Sequence, residues 1–179
     1  MPSEVVGLVL AAGASRRMGP DTNKLCAPVD GKPLLAWAVD AMFEAGVTRV
    51  FVVTGFEATK VREVLGDRPC FFVDNPSWSE GMGASIAAGT RKILEDESPR
   101  GILVCVGDLP GLEAVWIEAL LAEFDRVDSS DCLCVPTYQG RWGHPVLFGR
   151  DYFGALTALE GETGGRSILQ AHEGQLVRI

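Results

Sequence analysis

The chain has 179 residues, enough for one domain with a substantial buried core, and its 47% hydrophobic and 22% charged residues are typical of a globular protein. A formal net charge of −8 argues against a general nucleic-acid or anionic-membrane surface, although a local basic pocket can still bind a single nucleotide. No apolar run approaches the roughly 18 residues that span a bilayer, and residues 1–4 lack the basic region of a signal peptide. We therefore expect a cytoplasmic protein that binds neither nucleic acid nor membrane.

The five cysteines form no C-x-x-C pair, and the chain has only two histidines, so a zinc site built from these residues is not expected. Cys105 lies within an apolar run, and Cys132 and Cys134 alternate with apolar residues. This placement predicts reduced thiols that are buried in strands.

Apolar runs rich in β-branched residues predict buried strands, and apolar positions that recur at helical spacing predict helices. In chain order, strands are expected at 5–10, 49–54, 70–73, 102–106, 132–135, 145–148 and 176–179. Helices are expected at 34–45, 57–65, 81–94, 113–124, 151–159 and 167–172. Because strands alternate with helices, we expect a single-domain α/β fold over residues 1–179, a Rossmann-like three-layer α/β/α sandwich with a mostly parallel sheet.

In a parallel sheet of this kind, ligands bind outside the carboxyl ends of the strands. The segments that follow the predicted strands therefore hold the candidate site residues, and these segments are 11–17, 54–55, 74–83, 107–110 and 136–144. Glycines and unusual polar residues are concentrated in them, which indicates one site at one edge of the sheet.

The segment 5–19, VVGLVLAAGASRRMG, runs from the first strand into a loop of small residues and two arginines. Small residues let the backbone approach an anion, and guanidinium groups suit phosphate oxygens. A dinucleotide-binding turn needs G-x-G-x-x-G, but Gly13 lacks a second glycine two residues later. A Walker loop is also excluded, because Pro20 stands where its lysine is required. The loop predicts a phosphate site of another kind, with Arg17 and Lys24 as cations that clamp a triphosphate.

The segment LVLAAGASRRMG followed by Lys24 resembles the L-x-A-G-x-S-x-R-M-G…K signature of nucleotidyltransferases, and in particular that of the molybdenum-cofactor nucleotidylyltransferase family. Later segments agree with this family: residues 75–85, GDLP at 107–110, GHPV at 143–146 and GETGGR at 161–166. The opening motif is shared with sugar-phosphate nucleotidyltransferases, whereas GHPV and GETGGR favour the molybdenum-cofactor branch. Members of that branch join a nucleoside monophosphate to molybdopterin.

The resemblance implies a Mg²⁺-dependent enzyme that transfers CMP from CTP to the phosphate of molybdopterin and releases pyrophosphate. In this family an LAAG loop accompanies cytidine and an LAGG loop accompanies guanine, so CTP is favoured over GTP. The alternatives are a GTP-using or sugar-phosphate nucleotidyltransferase and, in a different class, a non-catalytic maturation chaperone that binds the molybdenum cofactor. A molybdenum hydroxylase or its chaperone is the implied protein partner.

The same resemblance assigns Arg17 and Lys24 to the triphosphate and Asp108 to Mg²⁺, and these residues form the implied catalytic set. Asp108 follows a fully apolar strand, which places one carboxylate at the edge of the sheet, and a turn-capping aspartate before Pro110 is the alternative. For the two cations the alternative is a solvated basic loop. The implied nucleotide-binding residues are Leu10, Ala11, Ala12, Gly13, Arg17, Lys24, Gly81, Ser85 and Asp108.

The predicted helix at 81–94 begins with small residues, which allow two interpretations. Either the helix packs tightly on the sheet, or its amino end faces the nucleotide with free N–H groups, and we favour the second. The implied acceptor-binding residues are His144 and Arg166. The alternatives are a structural role for His144 and a pairing of Arg166 with an acidic neighbour instead of the acceptor's phosphate.

Two departures from the family concern the metal site. Members more often have aspartate in place of Glu162, and they continue beyond a strand like 176–179 into an Asp-x-Asp-Thr-Pro segment that helps bind metal. The sequence ends at Ile179, so we expect a truncated chain, weaker metal binding, or a substitute carboxylate such as Asp74 or Asp151.

Overall fold

The computed structural model describes residues 4–14, 19 and 23–179. Its strands are β1 (Val5–Ala11), β2 (Pro28–Val29), β3 (Lys32–Pro33), β4 (Val50–Thr54), β5 (Phe71–Asp74), β6 (Gly101–Val106), β7 (Leu133–Val135), β8 (Thr137–Tyr138), β9 (Arg141–Trp142), β10 (Val146–Gly149) and β11 (Val177–Arg178). Its helices are α1 (Leu34–Glu44), α2 (Ala58–Leu65), α3 (Met82–Asp96), α4 (Ala114–Val127), α5 (Phe153–Thr157) and α6 (Arg166–Ala171). Short 3₁₀ turns lie at Lys24–Cys26, Trp78–Glu80, Arg150–Tyr152 and Glu173–Gln175.

The described strands form a seven-stranded central sheet with the order β11-β7-β10-β6-β1-β4-β5. β1 pairs in parallel with β4 and with β6, β4 pairs in parallel with β5, and β7 pairs in parallel with β11. β10 runs antiparallel to both of its neighbours, β6 and β7. The predicted mostly parallel sheet is therefore confirmed. The strand order changes direction between β1 and β6, and such a switch point is where sheets of this kind bind ligands.

Helices cover both faces of this sheet because successive side chains of each strand point to opposite sides. In β1, Val5 and Val9 belong to one hydrophobic cluster, whereas Val6 and Leu8 belong to the other. Helices α1, α2 and α4 complete the first cluster, and helices α3, α5 and α6 complete the second. This arrangement confirms the predicted three-layer α/β/α sandwich.

Three local features differ from the expected elements. The hairpins β2–β3 and β8–β9 were not among the predicted strands, and their two-residue turns are Asp30-Gly31 and Gln139-Gly140. All four turn residues have positive φ, between 49° and 79°, as tight hairpin turns require. Asp-Gly is a strong sequence signal for such a turn, whereas Gln-Gly is not. The predicted helix at 151–159 is divided into a 3₁₀ turn and the short helix α5.

All five cysteines are free thiols. Cys105, Cys132 and Cys134 are buried, as predicted, and Cys26 and Cys70 are half-buried. Burial raises the pKa of the Cys70 thiol to about 11, so this thiol stays protonated at neutral pH. In the part of the chain that the structure describes, no helix has both the length and the apolar character needed to cross a membrane.

Candidate active site

A cavity of about 710 Å³ lies at the carboxyl ends of β1 and β6, at the switch point of the sheet. Small-molecule sites commonly have volumes of roughly 300–1,000 Å³. The predicted site residues that line this cavity are Leu10, Ala12, Gly13, Lys24, Gly81, Ser85 and Asp108. Its other lining residues are Ala14, Leu25, Trp78, Ser79, Met82, Val106, Gly107 and Glu162. The fold thus brings together residues from distant parts of the sequence.

Four predicted residues are not among the described residues that line the cavity. Arg17 lies outside the residues that the structure describes. Ala11 is only 1% exposed, and its side chain packs in the hydrophobic cluster on the α1 side of the sheet. The described residues that line the cavity include neither His144 nor Arg166. Among the described residues, the cavity therefore contains the predicted nucleotide residues except Ala11, and it contains neither predicted acceptor residue.

The loop that follows β1 presents mainly backbone to the cavity. Gly13 is exposed, and a Cβ atom at this position would have no described neighbour within 4 Å. The Ala12 carbonyl accepts the N–H of Phe56 at 3.0 Å, and the Leu10 carbonyl accepts the N–H of Gly107 at 2.9 Å. These two hydrogen bonds hold the start of the loop between the ends of β4 and β6.

The position of Asp108 depends on the close approach of Gly107 to its neighbours. A Cβ atom on Gly107 would lie 2.7 Å from a methyl group of Leu35 and 2.8 Å from the Leu10 carbonyl oxygen, so a larger residue does not fit. The chain therefore leaves β6 close to the β1 loop and places the Asp108 carboxylate at the cavity. The prediction that this carboxylate lies at the edge of the sheet is confirmed.

Lys24 is held opposite Asp108 by a short 3₁₀ turn. The turn is capped by the buried side chain of Asn23, whose Oδ1 accepts the N–H of Leu25 at 3.1 Å. From this turn the Lys24 Nζ donates to the Asp108 Oδ2 at 2.6 Å. Both side chains remain more than a third exposed, so solvent screens this ion pair strongly. A phosphate group and a cation can therefore exchange with the two partners at small cost in folding stability.

The residues present fit a divalent metal only if a substrate supplies further oxygens. No group of three or more histidine, cysteine, aspartate or glutamate side chains suited to a metal occurs among the described residues. Mg²⁺ is commonly held by one or two carboxylates together with phosphate oxygens and water. Asp108 supplies one such carboxylate, and Glu162 is a second carboxylate that lines the same cavity.

Neither of the two substitute carboxylates considered from the sequence lines this cavity. The Asp74 carboxylate instead accepts hydrogen bonds from the side chains of Thr54 and Arg62. These hydrogen bonds lower the pKa of its carboxyl group. Asp151 lies in the 3₁₀ turn before α5, where its N–H donates to the Ser130 carbonyl at 3.0 Å. Neither aspartate is therefore placed by the described residues to help Asp108 hold a metal in this cavity.

The amino end of α3 forms another wall of the cavity, and it packs against the GETGGR segment. The Gly83 N–H donates to the Gly161 carbonyl at 2.8 Å. A Cβ atom on Gly81 would lie 2.5 Å from that same oxygen, and one on Gly83 would lie 2.6 Å from the Glu160 carbonyl oxygen. The Gly83 N–H is thus used by Gly161, and the two glycines allow close packing, while Gly81, Met82 and Ser85 at the same helix end line the cavity. The same contact brings Glu162 to the cavity.

Trp78 is a cavity residue that the sequence reasoning did not single out, although it lies in the expected segment 74–83. Its side chain rests against the backbone at the end of β4, where a Cβ atom on Gly55 would lie 2.5 Å from the Trp78 Cβ. The rings of Trp78 and Phe56 are 5.5 Å apart. The position of Trp78 soon after β5, at the edge of the sheet where ligands bind, is the sequence signal that would have identified it.

The predicted acceptor residues lie at or near the β10 side of the sheet. Burial lowers the pKa of His144, while a hydrogen bond with the Val104 backbone and the charge of nearby Asp108 oppose this effect. The Nδ1 atom of His144 is buried, and no described residue hydrogen-bonds to it. The guanidinium of Arg166 lies 5.8 Å from the ring centroid of Trp142, and no carboxylate of the described residues pairs with it. The alternative pairing of Arg166 with an acidic neighbour is therefore not found in the described part of the chain.

Comparison with known proteins agrees with this geometry. The chain is 34% identical over 132 residues to the bifunctional protein GlmU of Symbiobacterium thermophilum, an alignment that covers 73% of this chain and 27% of GlmU. The chain thus spans about a quarter of the length of that relative. It is 30% identical over 177 residues to the nicotine blue oxidoreductase of Paenarthrobacter nicotinovorans, covering 93% of this chain and 81% of the relative.

A solved structure and a family model also match this chain. The crystal structure of Rv0371c from Mycobacterium tuberculosis H37Rv matches with a TM-score of 0.80 at 25% identity, covering 100% of this chain and 88% of that one. The family model described as the MobA-like NTP transferase domain matches residues 7–176, which include every described residue of the cavity wall. The chain therefore belongs to the family of MobA-like NTP transferase domains.

Proposed function

We propose that this protein transfers CMP from CTP to the phosphate of molybdopterin and releases pyrophosphate, with Mg²⁺ as the metal. The observation that carries the proposal is the cavity at the switch point, where the β1 loop, Lys24 and Asp108 meet. The family supports nucleotidyl transfer, and the LAAG loop at residues 10–13 supports CTP through the resemblance described above.

The reaction joins two phosphates, so charge crowding is the main barrier. An oxygen of the acceptor's phosphate attacks the α-phosphorus of CTP, a new P–O bond forms, and the bond to the pyrophosphate leaving group breaks. Lys24, together with Arg17 by resemblance, offsets the charge that develops on pyrophosphate. Asp108 would hold the divalent metal, which neutralises phosphate charge when bound.

The order of the strands suggests how the two substrates are arranged along the edge of the sheet. Lys24 and Asp108 lie near its centre, Trp78 and Ser85 lie on the β5 side, and His144 lies on the β10 side. We therefore place the base near Ser85, the triphosphate at Lys24, and molybdopterin near His144 and Arg166. Because burial lowers its pKa, His144 is neutral at pH 7 and can hydrogen-bond the acceptor without adding charge.

The test is pyrophosphate release by the purified protein with each nucleoside triphosphate, Mg²⁺ and molybdopterin. We expect release with CTP and molybdopterin together, and with neither alone. Absence of pyrophosphate with every nucleotide would overturn nucleotidyl transfer. Turnover with a hexose 1-phosphate would instead identify a sugar-phosphate nucleotidyltransferase, and turnover with GTP would change the nucleotide.

The second candidate function is that of an oxidoreductase. It is favoured by the similarity to nicotine blue oxidoreductase, because that alignment covers 93% of this chain. Against it, the β1 loop lacks the glycine spacing that dinucleotide-binding turns require. The two candidates differ in a direct measurement. Oxidation of a reduced nicotinamide by the protein with a heterocyclic acceptor, without pyrophosphate release, would establish the second function.

A further inference from the structure

Asn75, which follows β5, is 4% exposed and uses both ends of its side-chain amide. Its Oδ1 accepts the backbone N–H of Ser77 at 3.0 Å, and its Nδ2 donates to the Ser85 Oγ at 3.1 Å. Because a backbone N–H can only donate, the amide oxygen must face Ser77. The amide nitrogen must then face Ser85, so the polarity of the Asn75–Ser85 hydrogen bond is determined by the backbone.

Ser85 is 5% exposed and lines the cavity from the first turns of α3. A hydroxyl group has one donor and two acceptor positions, and Asn75 occupies one of the acceptors. In the described part of the chain, no carbonyl or carboxylate accepts the Ser85 hydroxyl proton. The proton is therefore available to a ligand in the cavity.

This arrangement distinguishes the two pyrimidines. Ring position 3 is an unprotonated acceptor in cytosine and an N–H donor in uracil. The Ser85 hydroxyl can donate to the first. To accept from the second it must turn its proton away from the base, where no carbonyl or carboxylate of the described residues receives it. A site built in this way rejects the mismatched analogue because its buried polar group loses its partner.

We propose that Asn75 is a positioning residue that makes Ser85 a hydrogen-bond donor toward the nucleobase, and that this contact selects CTP over UTP. The inference rests on the proposed function, since it places the base of a nucleotide on the β5 side of the cavity. Asn75 does not contact the nucleotide itself, and it acts through Ser85.

The experiment replaces the amide by a carboxylate of the same shape, in Asn75→Asp. One carboxylate oxygen still accepts the Ser77 N–H, but the other cannot donate and instead accepts the Ser85 hydroxyl proton. A lone pair of Ser85 then faces the base, which suits uracil. We expect the ratio of the CTP and UTP dissociation constants, measured by calorimetry with Mg²⁺, to move toward UTP by about tenfold.

Ser85→Ala is the matched control, and it also serves if Asn75→Asp does not fold, as judged by thermal melting. Without the hydroxyl, the preference for CTP over UTP should disappear while both nucleotides still bind. Adding Asn75→Asp to Ser85→Ala should then leave the ratio unchanged, a result that a general structural role of Asn75 does not produce.

The inference is overturned if wild-type protein binds CTP and UTP equally, or if either single variant keeps the wild-type ratio. Those outcomes leave nucleotidyl transfer intact, because they concern only the choice of base. A wild-type protein that binds no nucleotide overturns the proposed function, and this inference with it.

Discussion

Asp40 and Asp108 both pair with cations, but their surroundings differ. The Asp40 carboxylate accepts hydrogen bonds from Arg68 at 2.6 and 3.1 Å and from Lys32 at 3.1 Å. Asp108 accepts one hydrogen bond from Lys24 among the described residues. The Asp40 side chain is 23% exposed and that of Asp108 is 37% exposed. A carboxylate with several donors is part of the framework, whereas one with a single exposed partner can exchange it for a ligand.

The pKa of Asp40 supports this distinction. Burial raises the pKa of its carboxyl group, but hydrogen bonds and charges from Arg68 and Lys32 outweigh burial and hold the pKa below its ordinary value of 3.8. The ionised form of Asp40 is therefore stabilised by folding itself.

The largest expected effect is that of Asp108→Asn on turnover. Losing the carboxylate removes the proposed metal ligand, and pyrophosphate release should fall by at least about 100-fold. Thermal stability should change little, because a screened surface ion pair contributes about 0–1 kcal/mol. A variant that retains wild-type turnover would place the metal elsewhere. A non-catalytic chaperone would keep delivering cofactor with this substitution, whereas a transferase would keep only its nucleotide affinity.

Lys24→Met should weaken nucleotide binding, because it removes a charge-assisted contact with the triphosphate. We expect the CTP dissociation constant to rise by about tenfold, measured by calorimetry. Lys32→Met is the matched control, since Lys32 pairs with the structural Asp40. That control should leave the dissociation constant unchanged. Equal effects of the two substitutions on affinity would remove the distinction between the two ion pairs.

Asp40→Asn should show the smallest effect on function and act on stability instead. We expect a loss of about 2 kcal/mol and a melting temperature about 5 °C lower, with unchanged turnover. Because the folded-state pKa lies below 3.8, Asp40 stabilises the fold above that pH and loses its contribution as the pH falls through the folded value. Melting curves recorded at decreasing pH should therefore converge for the variant and the wild type. Curves that stay parallel would contradict this assignment.

The sheet and most of the described residues of the cavity could be predicted because they depend on local patterns. Apolar runs identify β1 and β6, and the residues directly after such strands lie at one edge of a parallel sheet. Lys24 and Asp108 are far apart in sequence, and the strand-end rule together with the family motif predicts their meeting. The hairpin at Asp30-Gly31 was also predictable, because its turn residues carry a known signal.

Other parts of the site depend on packing between segments that no local pattern relates. Nothing near Gly83 in the sequence indicates that its N–H bonds to Gly161. The role of Glu162 as a wall residue follows from that same contact. Ala11 was assigned to the nucleotide from the motif, whereas strand alternation turns its side chain to the opposite core.

The contact between Gly83 and Gly161 has a consequence for the order in which the protein acquires its site. A ribosome makes the strand that precedes Asp108 well before residue 161, and α3 earlier still. Lys24 and Asp108 can thus be in place while the cavity is still open on the side that Gly161 and Glu162 later close. The cavity can therefore close only after residue 162 has been made, when β1, α3 and β6 have already left the ribosome's synthesis site.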